Sequence, residues 1–227
     1  MKKWPFWEKL LFAAFLFWGA AGLIFTLGHF TPASLPAEPW LRDFVAGCIR
    51  TGDPILILLA FANTHVHAAR EWTPALARRW GLIVLVAALG IETVGVTTGL
   101  PFGDYRYTNR FGPMIGVVPL TIPLAWQVVV TNALFLARLV TGRRFWEAVL
   151  TGLICTGYDY ILEPFAGAKR YWIWQGGVVP AENYAAWFIL SGLLAGIFAP
   201  ALATRFPRDV RPGAILGVTL LIFLAGR

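Results

Sequence analysis

Long apolar runs broken by short clusters of Lys, Arg, Pro and Gly dominate the chain. Seven of them read as membrane-spanning helices, at roughly residues 10–28, 44–66, 80–100, 117–139, 146–164, 184–204 and 213–225. The last is short for a bilayer, which takes about 20 residues. The first follows Lys2 and Lys3, as a signal peptide would, but its apolar run is too long and no small-residue cleavage site follows it. The pattern predicts an all-α, polytopic integral membrane helix bundle of about seven transmembrane helices.

Lys and Arg set the expected orientation. With the N-terminus in the cytoplasm, twelve basic residues fall on the inner side (Lys2, Lys3, Lys9, Arg70, Arg78, Arg79, Arg138, Arg143, Arg144, Arg205, Arg208, Arg211) and seven on the outer. That bias predicts a cytoplasmic N-terminus in the cell membrane. The acids sort the other way, with eight of twelve in the outer half or outer loops. Polar chemistry is therefore expected toward the outer leaflet.

Composition agrees: 58% of residues are hydrophobic, only 14% are charged, and mean hydropathy is +0.65. A soluble domain is excluded by these values. No polar linker divides the chain, so residues 1–227 read as one integral domain with its motif-bearing core at about 50–190. The net charge of +7 follows from the inner loops and does not point to nucleic acid. Cys48 and Cys155 lie in apolar stretches and form no disulfide or metal pattern. Phosphate-loop, dinucleotide and zinc motifs are absent, so no cofactor and no metal are expected. His65 and His67, two residues apart on a helix, point to different faces.

Acids inside spans are the candidates for chemistry, because a carboxylate in hydrocarbon costs a few kcal/mol at the least. Glu92 lies deepest. Asp159 and Glu163 stand at i and i+4, on one helix face, where two carboxylates resist double ionisation and share a proton. Such a set suits proton donation and water activation. Gly95 and Gly99 leave the Glu92 face bare, open either to a neighbouring helix or to a rod-shaped ligand. Asp53 stands three residues after Arg50, a spacing that allows a local ion pair. Glu182 opens the sixth span, and Asp104 lies in a loop beside Arg106. Tyr105, Tyr158, Tyr171, Trp172 and Trp174 are candidates for shaping a pocket, since aromatic faces stabilise a desolvated cation by about 2 kcal/mol or more each.

Two outer loops share a pattern. Pro101-Phe102 and Pro164-Phe165 each follow a span, and each leads through a basic-aromatic cluster to Gly-Val-Val-Pro. Both prolines are expected to end their helices.

The segments GIETVGVTTGLPFGDYRYT, GVVPLTIPLAW, GYDYILEPFA with YWIW, and PAENYAAWF together resemble the membrane carotenoid-biosynthesis proteins. The likeness covers about residues 63–188, and the chain is somewhat short for the family, the missing length falling at the C-terminus. The best-characterised members are carotenoid 1,2-hydratases acting on γ-carotene and bisanhydrobacterioruberin. The resemblance implies hydration of the terminal double bond of an acyclic carotenoid end, without metal or nucleotide. The implied partners are a membrane-dissolved carotenoid and the lipid bilayer, with other carotenoid-pathway enzymes as candidates and no nucleic acid. On the residues' own chemistry, Glu92 is the first choice as proton donor, while Asp159 and Glu163 hold and deprotonate the water; the reverse assignment stays open. A membrane lycopene cyclase, a proton-coupled transporter and a non-catalytic carotenoid-binding scaffold are the competing classes. The loops and the upper parts of spans two, three and five should converge on one cleft.

Overall fold

The structure, a computed structural model, describes residues 4–28, 36–200 and 209–227. Lys2, Lys3, Arg205 and Arg208, which weigh in the expected orientation, lie outside the described residues, as does the end of the predicted sixth span. Seven helices are described: α1 (Phe6–Leu27), α2 (Pro39–Glu71), α3 (Pro74–Thr98), α4 (Thr121–Val140), α5 (Arg144–Lys169), α6 (Ala181–Leu193, continued by a π turn at Leu194–Phe198) and α7 (Arg211–Ala225). Five are long and apolar enough to cross a membrane, namely α1, α2, α3, α4 and α6 with its π turn. The α5 helix is long enough but carries the acids. The α7 helix has 15 residues, about 22 Å of rise, against a hydrocarbon core of about 30 Å. The chain is thus an all-α, multi-pass membrane bundle.

The α4 helix is the axis, packed against α2, α3, α5 and α7 and buried along most of its length. Two of its polar side chains reach across to neighbouring helices: Thr131 accepts from Trp80 Nε1 at 2.8 Å, and Asn132 donates to Thr64 at 2.8 Å. The α5–α6 contact is built from small residues. A Cβ on Gly152 would stand 2.7 Å from the Phe188 carbonyl, and one on Gly192 would stand 3.3 Å from that of Ala148. This close approach, typical of membrane helix pairs, brings the acids of α5 against α6.

One end of the bundle is clasped by charge. Glu8 accepts from Arg70 at 2.7 Å and from Arg211 at 3.2 Å, and Arg211 also binds Asp209 at 2.8 Å while lying 4.0 Å from the Trp4 ring. The opposite end holds the two similar loops. There β1 (Tyr105–Tyr107) pairs antiparallel with β4 (Trp172–Trp174), Tyr105 opposite Trp174 and Tyr107 opposite Trp172. A second small ladder joins β2 (Met114–Ile115) to β3 (Val118–Pro119).

The two prolines differ. Pro101 follows the left-handed cap Gly99, φ 77°, that ends α3. Pro164, expected to end its helix, lies inside α5, which runs five residues further to Lys169. The α5 helix stops instead at Arg170, φ 56°, where Tyr171 N–H reaches back to the Ala166 carbonyl at 3.0 Å. A proline is tolerated inside a membrane helix where its surroundings absorb the lost backbone bond.

Candidate active site

Beneath the β1–β4 pair lies a cavity of about 90 Å³, several times the roughly 10–15 Å³ that one water needs. Its walls come from α2, α3, α4, α5, α6, α7 and both similar loops. Glu92, Asp159 and Glu163 all line it, and Asp53 lies at its α2 side. Among the described lining residues there are four carboxylates and no Lys, Arg or His.

Glu92 is buried, at 4% exposure, yet fully engaged. Tyr105 and Tyr107 hydroxyls donate to its Oε2 at 2.5 and 2.6 Å, and Trp126 Nε1 donates to Oε1 at 2.7 Å. Alternation along a strand puts Tyr105 and Tyr107 on one face, so β1 presents both to the acid. Gly95 makes room for this: a Cβ there would stand 2.7 Å from the Phe102 ring and 2.8 Å from Tyr105 Oη. The bare glycine face thus receives the chain's own loop, neither another helix nor an open groove. Tyr105 and Tyr107, outside the spans, have pKa values pushed well above the ordinary phenol range by burial first and the Glu92 charge second.

Glu163 takes the other strand. Trp172 and Trp174 indoles donate to its Oε2 at 3.1 and 2.9 Å. Asp159, one helical turn earlier, accepts from the Asn183 amide of α6 at 2.6 Å. Neither acid pairs with Lys169 or Arg170; Lys169 lies over the Phe165 ring at 5.4 Å. The Arg50–Asp53 pair that the spacing allows does not form. Tyr171 donates to Asp53 instead, and burial together with that carboxylate raises the Tyr171 pKa.

Aromatic rings complete the walls. Trp126 and Trp187 stack at 3.9 Å, Tyr105 lies 5.1 Å from Trp174, and Phe111 stacks on Tyr171 at 4.3 Å. Tyr158 lines the α7 side and donates to Thr219 at 2.9 Å.

Four residues singled out from sequence stand outside the lining. Gly95 lies beneath Phe102 and Tyr105; Gly99 is the α3 cap; Asp104 is exposed, its carbonyl accepting from Gln175 N–H at 2.9 Å; Glu182 is exposed in the first turn of α6. Their positions serve the loop and the helix ends. Tyr107, Trp126, Asn183 and Trp187 line the cavity and were not singled out, although all four sit in the quoted segments. For Thr219 the sequence carries no signal.

His65 and His67 do diverge: His67 packs edge-on against Phe135 at 4.6 Å, while His65 lies beside Phe61. Ligand atoms of His67, Glu71 and Asp209 come within 4.8 Å of one another. Arg211 already holds both Asp209 oxygens, which disfavours a metal there.

The sequence profile of the carotenoid biosynthesis proteins matches residues 52–225. The chain belongs to the carotenoid biosynthesis protein family. Every lining residue of the cavity falls inside that match, while α1 falls outside it and lines nothing. The chain is also similar to the bisanhydrobacterioruberin hydratase of Haloarcula japonica, 38% identical over an alignment of 133 residues that covers 54% of this chain and 45% of that protein. The matched region thus spans a little under half of that relative's length. No solved structure matches the chain.

Proposed function

We propose that the chain hydrates the terminal C1–C2 double bond of an acyclic carotenoid end group, without a cofactor, in the cell membrane. The observation that carries this reading is the cavity lining: among the described residues, four carboxylates, no basic side chain and a wall of aromatic rings. Such a lining is complementary to positive charge with no anion attached. Family membership supports a carotenoid substrate, and the relative named as a hydratase supports water addition.

The chemistry balances with the groups present. A carboxyl group gives its proton to C2, the π electrons form the C2–H bond, and a tertiary cation remains at C1. Aromatic faces and carboxylates stabilise that cation, by about 2 kcal/mol or more per ring when water is excluded. Water adds at C1 and loses a proton to a second carboxylate. The carboxyl groups of the lining carry out this acid–base work, which is worth about 100-fold or more in rate. The polyene stays in the bilayer and only its end enters.

The test is expression in a pigment-free bacterial host carrying a lycopene or γ-carotene pathway. Pigment should gain one water per modified end. A cyclase would quench the same cation with the neighbouring double bond and give an isomer, and an unchanged pigment would remove the catalytic reading.

A further inference from the structure

We infer that Asp159 carries the transferable proton, that Asn183 positions it, and that Glu92 remains ionised as the anchor of the β1–β4 cap. This rests on the hydration reading for its chemistry, though the protonation states follow from hydrogen-bond accounting alone. Depth in the membrane favours Glu92 as the acid; the partners of each oxygen reverse that choice.

At Glu92 both oxygens are occupied by donors. The Trp126 indole can only donate, so Oε1 is an acceptor. The two tyrosine hydroxyls meet Oε2 at 2.5 and 2.6 Å, inside the range of charge-assisted O–H···O⁻ bonds, about 2.5–2.7 Å. Among the described residues, three donors and no cation meet this group. A proton on Oε2 would turn one tyrosine hydroxyl from donor to acceptor and would point at that hydroxyl, so no oxygen is left to present it to a substrate.

Asp159 is equally buried, at 2% exposure, but has one donor. Asn183, itself 3% exposed, places its N–H on Oδ2 at 2.6 Å. Oδ2 is thereby fixed as the acceptor oxygen. Oδ1 has no hydrogen-bond partner among the described residues and belongs to a cavity-lining side chain, so it is the oxygen that can hold and deliver a proton. Glu163 has both indoles on Oε2, which leaves Oε1 to take the proton from water. One helical turn separates Glu163 from Asp159, so the proton can return within the pair and reset the site. Each turnover then consumes one alkene and one water, with no net proton drawn from bulk. Asn183 acts through Asp159 and is a positioning residue, as is Glu92 through Tyr105 and Tyr107.

Infrared spectroscopy of the full chain in lipid nanodiscs reads the protonation directly, without turnover. The expected wild-type spectrum contains a protonated-carboxyl C=O stretch. Asp159→Asn should abolish it and Glu92→Gln should leave it. Asn183→Leu should keep the band but move it to higher frequency, since the carbonyl oxygen loses its donor. The same variant should lower kcat about 10- to 100-fold with KM within about 2-fold, a split that a merely structural role would not give. If a variant does not fold, carbon-13 labelling of all aspartate carboxyls replaces it: the wild-type band must shift with labelled aspartate and not with labelled glutamate. A band that is absent, that disappears in Glu92→Gln, or that follows labelled glutamate overturns the assignment. An unchanged pigment together with the expected bands would sink the hydration reading and leave the protonation assignment standing.

Discussion

Tyr105 and Trp174 face each other across β1 and β4, and each gives its polar hydrogen to a different carboxylate, Tyr105 to Glu92 and Trp174 to Glu163. The cap is therefore tied to α3 through one strand and to α5 through the other. Two three-residue strands could not hold themselves in a fixed register, and here buried acids fix it from below. The coupling is measurable. Tyr105→Phe alone leaves Glu92 one donor short and should cost about 1–3 kcal/mol of stability. Combined with Trp174→Phe in a double-mutant cycle, the unfolding free energies should depart from additivity by about 0.5 kcal/mol or more. Strict additivity would show that the strands are held independently.

Gly95 gives a sharper test of the same geometry. Gly95→Ala puts a methyl against Tyr105 Oη and Phe102, so Tyr105 must withdraw from Glu92. Hydration in the pigment host should fall about 10-fold or more. Gly90→Ala in the same helix meets nothing within 4 Å and should leave product unchanged, with a small gain in helix stability of up to about 1 kcal/mol. Equal effects from both would mean that loss of helix flexibility, not displacement of Tyr105, is responsible.

Seven helices are legible in the sequence because an apolar run needs no partner to be recognised. Glu92, Asp159 and Glu163 are legible for the converse reason: an acid in such a run is an anomaly on its own. The cap is not. Three-residue strands have no usable period, and their pairing depends on where Glu92 and Glu163 end up. Asn183 and Trp126 look like ordinary helix residues until the acid facing each is known. Asp104 and Glu182 are the mirror case, acids whose polar setting at a loop or helix end already satisfies them. Pro164 does not end α5, because a helix-breaking rule from water carries over poorly to a helix packed by its neighbours.

The phenols set an alkaline limit. Tyr105, Tyr107 and Tyr171 all have pKa values raised by burial and by an adjacent carboxylate. A raised phenol contributes stability that is intact below the unfolded value of about 10 and is lost as pH rises beyond it toward the folded value. The cap should hold up to about pH 9 and loosen only above about pH 10. Ultraviolet difference spectra should show a late tyrosinate step in the wild type that shrinks in Tyr107→Phe. Complete phenol titration near pH 10 would mean that the tyrosines are not buried against their acids.

The charged clasp at the other end sets an acid limit. Burial alone would raise the pKa of Asp209, but the hydrogen bonds from Arg211 outweigh it and hold the carboxyl below the usual aspartate value. That contribution is complete above about pH 4 and is lost as pH falls through the folded value. Arg211→Met removes the cation that Glu8 and Asp209 share, which leaves Glu8 to Arg70 alone and takes the guanidinium from Asp209. Breaking a buried ion pair costs about 3–5 kcal/mol, so the variant should unfold at clearly lower denaturant. Its acid unfolding should also begin at higher pH. A variant as stable as the wild type would mean that the clasp is solvated.

Orientation can be read without disturbing the charges that encode it. The cap loops carry exposed neutral positions, Asn109 and Gln175, and the opposite end carries Ala75 and Gly142. None of these is a Lys or Arg, so replacing them leaves the basic asymmetry intact, whereas a cysteine at Arg143 would weaken the very signal under test. Cys155 is fully buried and can stay, and only Cys48 need be changed to Ser. In intact cells, Asn109→Cys and Gln175→Cys should react with a membrane-impermeant maleimide, while Ala75→Cys and Gly142→Cys should react only after lysis. The carboxylate cavity would then open in the outer half of the membrane, and water would reach it from outside through the cap. The reverse pattern would turn the bundle over and bring water from the cytoplasm, with the geometry of Glu92, Asp159 and Glu163 unaltered.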